Sequence, residues 1–404
     1  MPEDSWQGTN LPKVGGFNRA VVLDAIRAHG EISRVELAGK TGLTAQTMSN
    51  IVRELIGGGL VVETGHAAST GGKPRVLLRV VADAYCAVGL HLDPERITGV
   101  LLDLAGEVRG RGQRRLPDGA TPAAVVDALT RVFRQLARHR DEPRLLGVGL
   151  AVPGPLDAAH RTVLHPPNLP GWSGVPLADV VQRRTELPVV MDRDGTAAAI
   201  GERWAAKVDR AGSFVSVHLG SGVGVGVVLG DQVHRGISNN AGEIGHVSGG
   251  GGRECACGRR GCLEAYSSMR AMVADWRAAG GSADPALPVS ARYERMCREA
   301  ARGDPVATKV LRQAATRLGR SLATVVSLLD VDRVVLGGPA LRHVEELVRA
   351  QVEKSLRANA WACEVRPVRV RSALAGEDGG AVGAASLVLD HAYSPRLTAL
   401  LGNG

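Results

Sequence analysis

Residues 243–264 read EIGHVSGGGGRECACGRRGCLE, and three cysteines and a histidine within this one segment govern how the chain around it is read. Cys255, Cys257 and Cys262 stand close together, with His246 a short way upstream and glycines between that let the backbone turn sharply. Three thiolates and an imidazole make a tetrahedral zinc set, and four protein ligands leave no position for a catalytic water. The expectation is one structural Zn2+ per chain, held in a loop over 246–262. A disulfide is the poorer reading. The chain has only six cysteines in 404 residues, and its first residues, MPEDSWQGTN, are not a basic then apolar secretion signal. Cys86, Cys297 and Cys363 lack sequence partners and are expected to fill core space.

Around this segment, from residue 84 onward, apolar strands alternate with helices. YCAVGLHL, RITGVLLDL, LLGVGLAV, LPVVMD, SFVSVHLG, VGVGVVLG and DRVVLGG read as strands; TPAAVVDALTRVFRQLARH and ATKVLRQAATRLGRSLATVVSLL read as helices. Strand–turn–strand over 85–108, then a helix and another strand, gives the order βββαβ, which restarts near Phe214. Two related α/β halves with a cleft between them place a small ligand at the hinge. A 44% hydrophobic content supplies a sizeable core and excludes a wholly disordered chain. No run of about 18 apolar residues exists, so no membrane partner is expected and the location is read as cytoplasmic.

The first 80 residues follow a different plan. NRAVVLDAIRAH at 18–29 carries Val22, Leu23 and Ile26 at helical spacing and ends at Gly30. Ser33 with Glu36 is a capping-box pattern for a second helix to about Lys40, Gly42 supplies a turn, and Thr44 caps a third helix to Ile56. Met48, Ile51, Val52 and Leu55 form its buried stripe, while Gln46, Thr47, Asn50 and Arg53 face the other way. This is a helix-turn-helix with Thr44–Ile56 as recognition helix. LVVETG and VLLRV then read as a hairpin wing with Gly71-Gly72 at its tip, its Lys73 and Arg75 suited to a minor groove. Thr44, Gln46, Thr47, Ser49, Asn50, Arg53, Lys73 and Arg75 are the candidate DNA-contacting residues. The net charge of +8 adds little to this, since residues 1–80 hold nine Lys/Arg against seven Asp/Glu. Placement matters more: Lys73, Arg75 and Arg79 lie in an acid-free run over 64–82. The boundary falls at a linker around Val80–Asp83, giving domains 1–80 and 84–404.

Two further groups of residues sit where strand or helix patterns break. Asn168, Asp194, Glu243, His246 and Glu264 supply carboxylates and an amide of the kind that bind neighbouring hydroxyls of a polyol. The runs GSGVGVG at 220–226 and LGG at 336–338 suit either close backbone approach to phosphate or tight sheet turns.

EIGH at 243–246 followed by CACGRRGCLE at 255–264 resembles the zinc signature of the ROK family of repressors, open reading frames and kinases. AVPGPLD at 151–157, PNLPGW at 167–172, HLGSGVGVGVVL at 218–229, VVLGGP at 334–339 and GEDGGAVGAA at 376–385 resemble further family segments in the family's order. The resemblance covers residues 17–390. It implies an α/β architecture: an N-terminal winged helix-turn-helix followed by a two-lobed actin-like ATPase (ribonuclease H-like) fold with a sugar cleft. It also implies that His246 holds zinc through one ring nitrogen and sugar through the other. Glu243, Glu264 and Asn168 are implied sugar contacts, and Asp194 matches the general base of the kinase members.

Two departures bear on activity. Kinase members open with D-x-G-G-T, a phosphate-cradling turn, where this chain reads H-L-D-P-E at 91–95. Asp93 and Glu95 would repel triphosphate, and Pro94 removes an amide donor, so catalysis is not expected and Asp194 is a vestigial base. Where sugar-binding members show N-D-A-N, this chain reads RDGT at 193–196. Arg193 is then a candidate effector residue that neutralises Asp194, binds an acidic or phosphorylated sugar, or fills the cleft. The expectation is a sugar-responsive transcriptional regulator, a repressor. It would bind an inverted-repeat double-stranded DNA operator as a homodimer or homotetramer. A sugar kinase carrying a DNA-binding head and a ligand-free regulator controlled by a protein partner are the alternatives.

Overall fold

Helix α1 (Leu11–His29) begins earlier than its apolar spacing suggests, because Gly15 and Gly16 lower helix propensity without ending the helix. Strand β1 (Ile32–Ser33) leads into α2 (Arg34–Thr41), which opens with a complete capping box. Ser33 Oγ accepts from the Glu36 N–H, and the Glu36 carboxylate accepts from the Ser33 N–H at 2.9 Å. Gly42 closes α2 at φ +70°, and Thr44 caps α3 (Ala45–Gly57) by accepting from the Thr47 N–H. Met48, Ile51, Val52 and Leu55 of α3 are all buried, in one cluster with Val22, Leu23 and Ile26 of α1. Strands β2 (Val61–His66) and β3 (Val76–Val80) pair antiparallel and β1 adds to β3, completing a winged helix. The computed structural model describes residues 11–66, 74–138, 144–166, 169, 171, 172, 174–206, 212–361 and 363–394. The wing tip with Lys73, and Asn168 of the cleft, lie outside the described residues.

The body has two five-stranded sheets. In the first, β4 (Tyr85–Asp93), β5 (Arg96–Asp103) and β6 (Val108–Arg115) form an antiparallel meander. After α4 (Pro122–Ala137), β7 (Arg144–Val152) pairs parallel to β4. The small ribbon of β8 (Leu156–Asp157) and β9 (Thr162–Val163), then α5 (Leu177–Thr185), lead to β10 (Val189–Arg193), which joins β7. The sheet order is β10-β7-β4-β5-β6. Helix α6 (Asp194–Ala205) crosses to the second lobe. There β11 (Phe214–Leu219), β12 (Val223–Leu229) and β13 (Gln232–His234) form the second meander. After α7 (Glu264–Ser267), α8 (Met269–Ala278), α9 (Val289–Ala301) and α10 (Pro305–Leu329) come β14 (Arg333–Gly337), α11 (Glu345–Asn359) and β15 (Arg369–Ser372). Its order is β13-β12-β11-β14-β15, so the βββαβ repeat expected from the sequence is present in both lobes.

Helix α12 (Gly379–Tyr393) and α6 lie against each other between the sheets, α12 on β4 and β7 and α6 on β11 and β12. Their close approach depends on missing side chains. A Cβ on Gly201 of α6 would stand 2.9 Å from Gly383 Cα of α12, and one on Gly149 of β7 would strike the Ala384 carbonyl.

The junction at Val80–Asp83 is no loose tether. Val81 N–H donates to Leu60 O at 2.9 Å and Leu104 N–H to Ala82 O at 3.0 Å. Leu102, Leu104, Trp204 and Leu389 of the body share one apolar cluster with the head. Head and first lobe are thereby packed as a unit. Cys86 and Cys297 are buried in the lobes and Cys363 is half-buried; all six cysteines are free.

Candidate metal loop, effector cleft and DNA-reading face

The glycine-rich loop brings its four candidate ligands together. His246 Nδ1 lies 3.8 Å from Cys255 Sγ, and Cys257 Sγ lies 3.7 Å from Cys262 Sγ. All four ligand atoms fall within 4.8 Å of one another. Metal–sulfur bonds of about 2.3 Å in a tetrahedron put sulfurs about 3.8 Å apart, and a disulfide would need about 2.05 Å, so the spacing fits a shared cation. Bridges Ser248–Cys262 and Glu254–Arg260 fold the loop back on itself. Burial pushes the Cys255 thiol up to about 12 and raises that of Cys262. Burial would also raise Cys257, but hydrogen bonds from Arg259 and the neighbouring thiols outweigh it and pull Cys257 down to about 6.

The His246 ring also lines the adjoining cleft, beside Asp194, Glu243, Glu264 and Gly154. Three carboxylates converge here, and each rests on a glycine. A Cβ on Gly154 would stand 2.6 Å from Glu243 Oε1, one on Gly222 2.6 Å from Glu264 Oε2, and one on Gly224 2.7 Å from Asp194 Oδ1. The GSGVGVG run therefore makes room for carboxylates. Asp194 opens α6 and accepts from the Gly195 N–H at 2.6 Å, while Glu264 accepts from the Val223 N–H at 3.2 Å. Burial, then the Glu243 charge, push the Asp194 carboxyl up to about 7 against the pull of Arg193. Burial likewise raises Glu264, opposed by His246 and the Val223 amide.

Arg193 is only 1% exposed and turns behind this cluster. Its Nη1 donates to Glu243 Oε1 at 2.6 Å, its Nη2 to Thr196 Oγ1 at 3.2 Å and to the Ala241 carbonyl, and its Nε to Asn239 O at 3.4 Å. The guanidinium fixes Glu243 from behind and does not line the cleft.

The turn at 91–95 ties the lobes together. Glu95 accepts from the Val289 N–H at 2.8 Å and the Ser290 N–H at 3.0 Å, capping the free amides of α9 across the cleft. Asp93 accepts from the Glu95 N–H at 3.1 Å. Burial raises its carboxyl, opposed by that amide and the Ser221 hydroxyl. His91 stands edge-on to His218, ring centroids 5.1 Å apart. Burial holds both imidazoles neutral, with His218 brought down to about 4. His218 and Ser221 are not candidates in the sequence: His218 sits in β11, where every residue is buried, and Ser221 in the glycine-flanked turn that follows it, so no polar spacing sets either apart.

On the head, Gln46, Asn50 and Arg53 are exposed on one side of α3. Gln46 Nε2 donates to Asn50 Oδ1 at 3.3 Å, an arrangement that pre-orients two amides. Thr44 and Thr47 share a hydroxyl contact at 2.9 Å, and Ser49 Oγ turns back to the Ala45 carbonyl at 2.8 Å. Arg75 is exposed at the base of the wing.

The ROK family profile matches residues 87–391, and a winged helix-turn-helix DNA-binding profile matches residues 21–62. A putative xylose repressor of Caldicellulosiruptor sp. (strain Rt8B.4) is 29% identical over 384 residues, 92% of this chain and 95% of the relative. Among solved structures, a ROK family transcriptional regulator homologous to the E. coli MLC protein superposes with a TM-score of 0.74. It is 22% identical and covers 97% of this chain and all of that one. A ROK family glucokinase from Streptomyces griseus, in complex with glucose and AMPPNP, gives 0.65 at 29% identity, covering 75% of this chain and 98% of the kinase. The glucokinase covers three quarters of this chain, whereas the two regulator-type relatives cover more than nine tenths of it. The chain belongs to the ROK family.

Proposed function

We propose that this protein is a sugar-responsive transcriptional repressor, binding operator DNA through α3 and its wing and a small polyol through the interlobe cleft. The observation that carries this reading is the head itself. Its recognition helix buries one apolar stripe, leaves Gln46, Asn50 and Arg53 open to solvent, and is packed directly onto a sugar-kinase-like body. A homodimer or homotetramer would set two such helices on an inverted repeat. Zinc fits the loop of His246, Cys255, Cys257 and Cys262, where a filled tetrahedron would fix the loop and orient His246 toward the cleft.

The cleft chemistry favours a neutral polyol over an acidic or phosphorylated sugar. Asp194, Glu243 and Glu264 crowd the floor, and the buried cation beside them, Arg193, is already committed to Glu243. Phosphoryl transfer is disfavoured because Glu95, at the position of the phosphate-cradling turn, is an anion that spends both carboxylate oxygens on α9. Effector closure would reach the head through α6, which starts at Asp194 in the cleft and ends beside Trp204 at α1. The test is capture of sheared genomic DNA by the full-length protein. An inverted repeat should be enriched by wild type and lost when Asn50→Ala and Arg53→Ala are combined; no enrichment over that variant overturns the reading.

A further inference from the structure

His91 ends up on β4 in the first lobe and His218 on β11 in the second, yet their rings meet edge-on with centroids 5.1 Å apart. They are 7% and 2% exposed. Among the described residues, neither ring nitrogen of His218 has a hydrogen-bond partner. Buried polar atoms in native proteins are nearly always satisfied, so an imidazole with both nitrogens orphaned marks a place where something else binds. The Asp194 carboxylate closes the group: one ligand atom each from His91, Asp194 and His218 lie within 4.8 Å of one another. Space for the group is kept by Gly380 of α12, where a Cβ would stand 2.6 Å from His91 Nδ1. Asp93 borders it, its Oδ2 and His218 Nε2 both lying within 4 Å of a Cβ built on Gly220.

We propose that His91, His218 and Asp194 form a second metal site, separate from the cysteine loop, that binds a borderline divalent transition cation and bridges the two sheets. Two imidazoles and one carboxylate select ions such as Zn2+, Co2+, Ni2+ or Fe2+ over Mg2+ and Ca2+, which prefer all-oxygen shells. A hard, oxygen-only site would not use imidazole at all. Three protein ligands leave open positions, so hydroxyls of a cleft ligand or water would complete the coordination. Because one histidine comes from each sheet, the ion would hold the lobes in a fixed relation. The site stands whether or not a sugar binds, although Asp194 is shared with the effector cleft.

The experiment is Co2+ loading of full-length protein stripped of metal, followed by gel filtration, metal analysis and visible absorption. Wild type should retain two cobalt ions per chain. One should show the sulfur-to-cobalt charge-transfer band of the cysteine loop and the other only ligand-field bands. His91→Ala and His218→Ala should each lose the second ion and keep the first, charge-transfer band included. Cys257→Ser should show the reverse, keeping the ligand-field-only ion even if the loop is destabilised. A single cobalt per wild-type chain at saturation, with Ni2+ and Zn2+ giving the same count, overturns the proposal without reliance on any variant. So does a second ion that survives both histidine substitutions.

Discussion

The guanidinium of Arg27 lies over the Trp204 indole, 4.1 Å from the ring centroid, and its Nη1 donates to the Trp204 carbonyl at 2.7 Å. Arg27 belongs to α1 of the head and Trp204 to the last turn of α6, whose first residue is the cleft carboxylate Asp194. At 1.5 Å per residue, α6 is a rod of about 18 Å from cleft to head. Gly106, at φ +89°, lies against both groups, its Cβ position 3.0 Å from Trp204 Cδ1 and 3.9 Å from Arg27 Nη1. The contact joins α1 of the head to the helix that begins in the cleft.

Arg27→Ala removes a cation–π contact and a charge-assisted hydrogen bond, a loss on the order of 2 kcal/mol. Thermal unfolding should begin earlier, and the change in operator affinity on adding effector should shrink while metal content stays constant. Arg27→Lys, which keeps charge without the planar fork, should fall between the two. Full effector response in Arg27→Ala would remove α6 as the route.

Arg53 and Asn50 are exposed on the reading face. Replacing either by alanine should weaken operator binding by about 1–3 kcal/mol while leaving the melting temperature near wild type. Fluorescence anisotropy on the captured operator checks both. A salt dependence lowered by Arg53→Ala but not by Asn50→Ala would separate phosphate from base contact.

Cys257→Ser should lower metal retention at the loop and destabilise the fold, because ligand loss there forfeits folding free energy. Retention of a full equivalent carrying the thiolate signature would exclude Cys257 from the ligand set.

Glu202, in α6, is buried and accepts from the Leu374 N–H at 2.8 Å. Burial pushes its carboxyl up to about 7, against the pull of that amide and of Arg333 and Arg371. Between the ordinary carboxyl range and about 7 the folded protein holds a proton that the unfolded chain releases. Stability therefore falls as pH rises through this window and levels off above it. Glu202→Gln keeps the acceptor for Leu374 and removes the charge. Its melting temperature should exceed wild type at pH 8 and converge with it near pH 4.5; identical pH profiles would count against the raised carboxyl.

Much of the head was legible in the sequence because its signals are local. The Ser33–Glu36 box, the Thr44 cap and the period of Met48, Ile51, Val52 and Leu55 each act within a few residues. Helix α12 was not legible, since GGAVGAASLVLDHAY is buried all round and carries almost no polar face to betray a helical period. The cleft divides the same way. Resemblance placed Glu243, His246 and Glu264 together, but only the folded chain shows that Arg193 lies behind Glu243 and that Glu95 caps a helix of the opposite lobe. His91 read as a lost aspartate until the second sheet set His218 against it.

The central claim, that the cleft ligand is read by the DNA-binding head, is tested most directly by operator affinity measured with and without a saturating sugar that stabilises the protein in a thermal-shift panel. A neutral sugar should change the affinity by about tenfold to a hundredfold, a coupling of roughly 1.4–2.7 kcal/mol, and remain unphosphorylated with ATP present. Identical affinities with the cleft filled and empty, or turnover of the sugar to its phosphate, would contradict it.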